Sequence, residues 1–205
     1  MGRQTFFSFH YERDAWRAGQ VRNCNLLPTN DQHGFIDSVD WESIKRQGDD
    51  AIKRWINKQL DYTSVTVLLI GAETTGRPWV RHEIIQSWNR GNGLVGVKIH
   101  NIKDQDRETD IAGRNPFDQF KLPNGTQLSS ICKTYDWVLD DGRNNLGTWI
   151  EEVFQERSKY GTGDLIWGNG ISQKAQPANV IRSVATSTPF TPHSPWCADN
   201  AESRR

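Results

Sequence analysis

Ser64-Val65-Thr66-Val67-Leu68-Leu69-Ile70 is a run of almost entirely β-branched and aliphatic residues, closed by Gly71. A strand with one wet face alternates apolar and polar residues. This one barely does, so both of its faces are expected to be covered, as in the centre of a parallel sheet. Downstream, the loop Ala72 to Pro78 leads into a helical pattern from about Trp79 to Arg90. Val80, Ile84, Ile85 and Trp88 recur on its core face, and Gly91 suits the left-handed residue that ends a helix. Leu94-Val95-Gly96-Val97-Lys98-Ile99 is the next strand.

Upstream, Asp49 and Asp50 open an amphipathic helix in which Ile52, Trp55, Ile56 and Leu60 are helically spaced. Gly34-Phe35-Ile36 is a short apolar run closed by Asp37. Residues Asp14 to Val21 read as a helix with Trp16 and Val21 inward, after a first strand over Thr5-Phe6-Phe7-Ser8-Phe9. Strands alternating with helices over short connections predict an α/β fold built on a doubly wound parallel sheet. Tyr135-Asp136-Trp137-Val138 reads as a last strand, and Leu146 to Lys159 as a closing helix with Trp149, Ile150, Val153 and Phe154 inward. The polar stretch from Asn101 to Ser130 is too long for an ordinary connection and reads as a lid or insertion. From Gly161 onward the periodicity dissolves, and four of the eight prolines fall in the last 29 residues. The expected division is a domain over 1–160 and a mostly disordered Pro/Ser/Thr-rich extension over 161–205.

Bulk properties narrow the function. The chain of 205 residues suffices for one well-packed domain plus an extension. Net charge is zero, which favours neither nucleic acid nor an anionic membrane as a partner. Cys24, Cys132 and Cys197 are far apart and odd in number, against a disulfide framework or a zinc site and in keeping with a reducing cytoplasm. No apolar run reaches the ~20 residues of a membrane helix. No signal-peptide pattern precedes the first strand, and Phe6 stands where a Gly2 myristoylation motif wants Ser or Thr. A GxGxxG fingerprint, a P-loop, a GxSxG elbow and an HExxH pair are all missing. No cofactor or metal is expected.

In open α/β sheets ligands bind beyond the carboxyl ends of the strands. On this topology that edge receives Phe9, His10 and Tyr11 from the first strand, Asp37 from the second, Trp79 and Glu83 through the third, and His100 and Asn101 from the fourth. Trp79 and Glu83, four apart, share a helix face. A carboxylate beside an aromatic wall suits a ribose and positive charge at its anomeric carbon. Each residue also has a plainer reading: Glu83 as a surface charge, Trp79 as loop packing, His10 as a cap, Asp37 as a turn residue. Arg81-His82 reads as the solvated side of the helix, and Asn115-Pro116-Phe117 as a turn with an aromatic anchor.

An ordered set of segments adds a resemblance. Thr5-Phe6-Phe7-Ser8-Phe9-His10-Tyr11, Val21-Arg22-Asn23, Gly34-Phe35-Ile36-Asp37 with Trp41-Glu42, and Ala51 to Ile56 open it. Thr63 to Gly71, Trp79 to Ile84, Asn115-Pro116-Phe117, and Tyr135 to Val138 with Asp140-Asp141-Gly142 complete it. Together they resemble the TIR-like proteins of Thoeris anti-phage defence, the ThsB type, within the Toll/interleukin-1 receptor domain superfamily. The resemblance implies a three-layer, flavodoxin-like TIR fold with about five parallel strands. It implies cleavage of NAD+, as substrate rather than cofactor, at the nicotinamide–ribose bond, with Glu83 in the catalytic position of the Trp-x-x-x-Glu spacing. Phe9, His10 and Tyr11 fall where the first-strand loop meets the substrate. The implied product is a cyclic ADP-ribose isomer or related ADP-ribosyl signal. Its implied partners are a separate effector reached by that diffusible nucleotide, a phage-protein trigger and further copies of the chain.

Two departures stand out. His10 and Tyr11 replace arginines common in that loop of animal TIR domains, which leaves the phosphate contacts open, and the segment from Lys103 to Asn124 is the other. Two other readings stay beside the enzyme: a non-enzymatic TIR-like scaffold, and a phospho-accepting receiver domain. The receiver needs an acidic cluster at the first strand and a lysine at the last, which His10-Tyr11-Glu12 and the Trp137 region do not supply.

Overall fold

The computed structural model describes residues 3–24, 43–159, 163–168 and the backbone of 170–171. Four parallel strands form its main sheet: β1 (Thr5–Ser8), β2 (Val65–Ile70), β3 (Gly93–Lys98) and β5 (Thr134–Asp136), in the order β1-β2-β3-β5. Every residue of β2 is buried, as its unbroken apolar run requires. Its side chains alternate between two cores. Val65, Val67 and Leu69 face helices 11–22 and 142–156, meeting Ala18, Val21, Leu146, Trp149, Ile150 and Val153. Leu68 and Ile70 face helix 78–89, meeting Val80, Ile84 and Trp88. On that second side Thr66 and Ser87 satisfy each other at 2.7 Å, and Phe6 packs on Ile52, Ile56 and Leu60 of helix 49–60. The result is a three-layer α/β/α fold. The expected strand at Gly34-Phe35-Ile36 lies outside the described residues.

The structure departs from the sequence reading in several places. Helix 11–22 begins at Tyr11 rather than Asp14. Its buried residues are Asp14, Arg17, Ala18 and Val21, an i, i+3, i+4, i+7 stripe, so Trp16 points outward and is 55% exposed. The stripe includes charged side chains because Arg17 has partners inside. Its guanidinium donates to the carbonyls of Ile102 (2.9 Å) and Glu108 (3.2 Å) and to Asp104 (3.1 Å). β1 stops at Ser8 and β5 at Asp136, leaving Val138 half exposed. The last helix starts earlier, at Gly142, and runs to Glu156. Gly91 takes its left-handed place, at φ 73°.

The 101–130 stretch is not a loose cover. Phe117, Phe120 and Leu128 are fully buried in the core under helix 78–89. Asn115 accepts from the Phe117 backbone N–H at 3.1 Å, so Asn115-Pro116-Phe117 is the turn with an aromatic anchor that the sequence suggests. β4 (Phe120–Lys121) pairs antiparallel with β6 (Ile166–Trp167), which pairs with β7 (Gly170–Ile171). Leu165, beyond the expected boundary at 160, is fully buried in the same core. Residues 172–205 lie outside the described part.

Candidate active site

Helix 78–89 is entered through Arg77, whose extended backbone (φ −70°, ψ 126°) precedes Pro78 in the first turn. That entry sets the helix phase. Val80 and Ile84 turn to β2, while Trp79 and Glu83, one turn apart, turn to the carboxyl end of β1. There they line a cleft of about 220 Å³ with Phe9, His10 and Tyr11. Trp79 is half-buried and packs on the Phe6–Ile52–Ile56 cluster, so its ring is a wall supported from behind.

Glu83 is only 8% exposed. Its Oε2 accepts a 2.5 Å hydrogen bond from Ser8 Oγ, itself fully buried at the end of β1. Removal from water pushes the Glu83 carboxyl up to about 8, against the opposing pull of the Ser8 hydroxyl. No ion pair involves it among the described residues. A buried, uncompensated carboxyl in a cleft is poised to meet a positive charge supplied by a ligand.

His10 precedes helix 11–22. Its Nδ1 is buried without a hydrogen-bond partner, and Nε2 lies 3.9 Å from Glu12 Oε2. Burial first, and the Arg77 charge second, hold the imidazole below its ordinary value, so the ring is neutral at pH 7. Phe9 and Tyr11 stand with ring centroids 5.8 Å apart. Two cations complete the rim. Lys45 pairs with Glu12 at 2.6 Å, and Arg77 pairs with Glu73, which also holds Arg13 at 3.1 Å.

The first-strand residues and the Trp79/Glu83 pair are thus brought together, and the fourth-strand residues are not. His100 and Asn101 line a separate hollow at the ends of β3 and β5. Asn101 donates to Asp136 Oδ2 at 2.9 Å, and His100 Nδ1 is 3.9 Å from the same oxygen. The separation follows from the strand order, since β2 stands between β1 and β3. Asp37 lies outside the described residues. His82 is not on a solvated side: it is half-buried, with Nε2 unpartnered and its pKa pushed down to about 4, mainly by burial. Its neighbour Arg81 covers the Trp167 ring at 4.3 Å.

Comparison with known proteins addresses the family of the chain. Residues 6–104 match the family model described as "Thoeris protein ThsB, TIR-like domain". The protein named "Putative cyclic ADP-D-ribose synthase ThsB1", from Bacillus cereus (strain MSX-D12), is 34% identical over 191 residues, covering 73% of this chain and 100% of the relative. The chain belongs to the ThsB family of TIR-like Thoeris proteins. The family match contains the cleft: Ser8, Lys45, Trp55, Arg77 and Glu83 all fall within it.

Four residues at this cleft of the ThsB-family chain escaped sequence reading. Ser8 is a small polar residue in a strand, visible only as the even partner of Phe6 on one strand face. Trp55 sat within an apolar helical stripe and read as core. Lys45 had no pattern around it. Arg77 carried a signal, since a cation directly before a helix-opening proline lies at the helix entrance, facing the strand ends. Among the described residues no group of three or more His, Cys, Asp or Glu could hold a metal ion, and no helix is long and apolar enough to cross a membrane.

Proposed function

We propose that this ThsB-family protein cleaves NAD+ at the nicotinamide–ribose bond with Glu83 as the catalytic carboxylate, and converts the ADP-ribosyl part into a cyclic isomer. The observation that carries the reading is the Glu83 carboxyl buried in an aromatic-lined cleft at the carboxyl end of β1. The relative's name, a cyclic ADP-D-ribose synthase, supports the product class.

The chemistry asks little of the protein. Nicotinamide in NAD+ is already a cationic leaving group, so it departs with the C1′–N electron pair as a neutral molecule and needs no acid. What remains is an oxocarbenium-like ribose. A carboxylate beside it stabilises the charge where it develops. Glycoside hydrolases meet the same kind of transition state with two carboxyl groups because their leaving group must be protonated. One suffices here. A nucleophilic nitrogen or hydroxyl of the same ADP-ribose then bonds to C1′ and yields its surplus proton, closing the ring. Excluding water from the cleft favours that outcome over hydrolysis.

A cleft of about 220 Å³ is below the ~300–1,000 Å³ usual for whole small-molecule sites. It suits the nicotinamide riboside half, with Trp79 and Tyr11 as ring walls and the neutral His10 as a hydrogen-bonding edge. The pyrophosphate would then cross the rim at Arg77 and Lys45, which supply the cations that His10 and Tyr11 do not. Asp37, on the loop expected after the second strand, is proposed as a further ribose contact. The messenger would reach a separate effector by diffusion, with a phage component or self-association completing the site. A cytoplasmic location fits a reaction on NAD+.

The test is chromatography of nucleotides from phage-infected cells expressing the chain or its Glu83→Gln variant. The expected result is nicotinamide and a cyclic product with the first and neither with the second. A Glu83→Gln protein that still yields the product removes Glu83 from the role. One that yields none yet protects cells fully favours the scaffold reading.

A further inference from the structure

Helix 78–89 brings Glu83 to β1, where Ser8 bonds its carboxyl. Ser8 is fully buried, and its Oγ lies 2.5 Å from Oε2. Strand alternation aims it there: Phe7 enters the core under helices 11–22 and 142–156, and Phe6 enters the core on the opposite face. Ser8, two residues from Phe6, therefore points with it toward helix 78–89. Among the described residues Oε1 accepts no hydrogen bond, and Glu83 lines the cleft.

We propose that Ser8 is a positioning residue for the reaction: its hydroxyl clamps Oε2 of Glu83, fixing the carboxylate plane so that Oε1 faces the ribose. This rests on the catalytic reading of Glu83. Two consequences follow from the geometry. The clamp removes a side-chain rotation that would otherwise let the carboxylate turn away from the anomeric carbon. It also favours the ionised carboxylate, since a hydroxyl donating to a charged oxygen stabilises that form. Burial outweighs this, and the carboxyl is pushed up to about 8. The arriving nicotinamide riboside cation tips the balance, and the Glu83 proton leaves to solvent as substrate binds.

Other titratable groups surround the cleft without reaching this carboxyl. His10, Tyr11 and Glu12 come from the start of helix 11–22, Lys45 from the helical turn at 43–46, and Arg77 from the entrance of helix 78–89. None of them bonds to Glu83. Among the described residues, the hydroxyl of Ser8 is the group that bonds this charge against its burial.

The experiment is a carboxyl ¹³C titration of the full chain, comparing wild type, Ser8→Ala, Ser8→Thr and Glu83→Gln. The last variant identifies the Glu83 signal by its loss, and the readout does not depend on the enzyme being switched on. Ser8→Ala is expected to move the Glu83 midpoint upward from about 8, and Ser8→Thr, which keeps the hydroxyl, to restore it. In triggered enzyme, Ser8→Ala is expected to lower kcat/KM for NAD+ roughly tenfold at pH 7, with the deficit shrinking as pH rises. An unmoved midpoint, or a rate loss equal at all pH values, overturns the role of Ser8 and leaves Glu83 in place. A Glu83→Gln protein with wild-type turnover overturns both.

Discussion

Glu83 illustrates how a buried carboxyl taxes the fold that holds it. Its carboxyl titrates near 8, above the ordinary 4.5, because burial favours the neutral form. The linkage has a definite sign. A raised folded-state value means this group's contribution is complete below about pH 4.5 and is lost as pH rises through about 8. Glu83→Gln lacks that loss, so the variant is expected to match wild type in melting temperature at pH 5 and exceed it at pH 9. At about 1.4 kcal/mol for each pH unit of displacement, the gain at pH 9 is on the order of a few kcal/mol. Equal melting temperatures at pH 9 would show that the carboxyl is solvated in the native state. Trp79 and Glu83 were readable as a pair because helical spacing of four puts two residues on one face whatever the fold. Ser8 was not, because its partner lies 75 positions away in sequence.

At the scale of elements, the segment around 101–130 shows how a long polar stretch can hide a core. Its charged and polar residues suggested a cover, yet three of its large apolar residues, Phe117, Phe120 and Leu128, are fully buried. Phe117→Ala is expected to lower stability by about 3–5 kcal/mol, read as a shift of the urea midpoint. A lid residue would cost little. The loop between β3 and this core is held just as closely. A Cβ on Gly113 would stand 1.9 Å from the carbonyl oxygen of Gly71, a backbone atom that cannot swing aside. Gly113→Ala is therefore expected to cost roughly 1–3 kcal/mol by forcing the two loops apart. A variant as stable as wild type in urea would contradict that close approach. Helix 11–22 went astray in phase for a related reason. Apolar periodicity counts Trp16 as inward, but the protein buries Asp14 and Arg17 because partners from the 102–110 loop and Thr74 await them.

At the scale of the molecule, the described structure reaches residue 171, with β6 paired to β4 and Leu165 in the core beneath helix 78–89. A chain ending at Lys159 is expected to melt below one ending at Lys174, because it loses Leu165 and the Trp167 ring under Arg81. Indistinguishable melting curves would place the true boundary at 160. The strand-and-helix alternation was legible because β2 is apolar on both sides and the helices repeat every three to four residues, patterns imposed by burial alone. Membership of the ThsB family was legible from the ordered motifs along β1, β2 and helix 78–89. Sequence by itself thus determined the layers of this protein and the helix face that carries Glu83. Only the tertiary structure decided that the carboxyl is buried, that Ser8 meets it, that Arg77 and Lys45 share its rim, and that His100 stands apart. Those facts depend on strand order and on contacts between distant segments, and desolvation, which sets the chemistry of Glu83, exists only once those segments have closed around it.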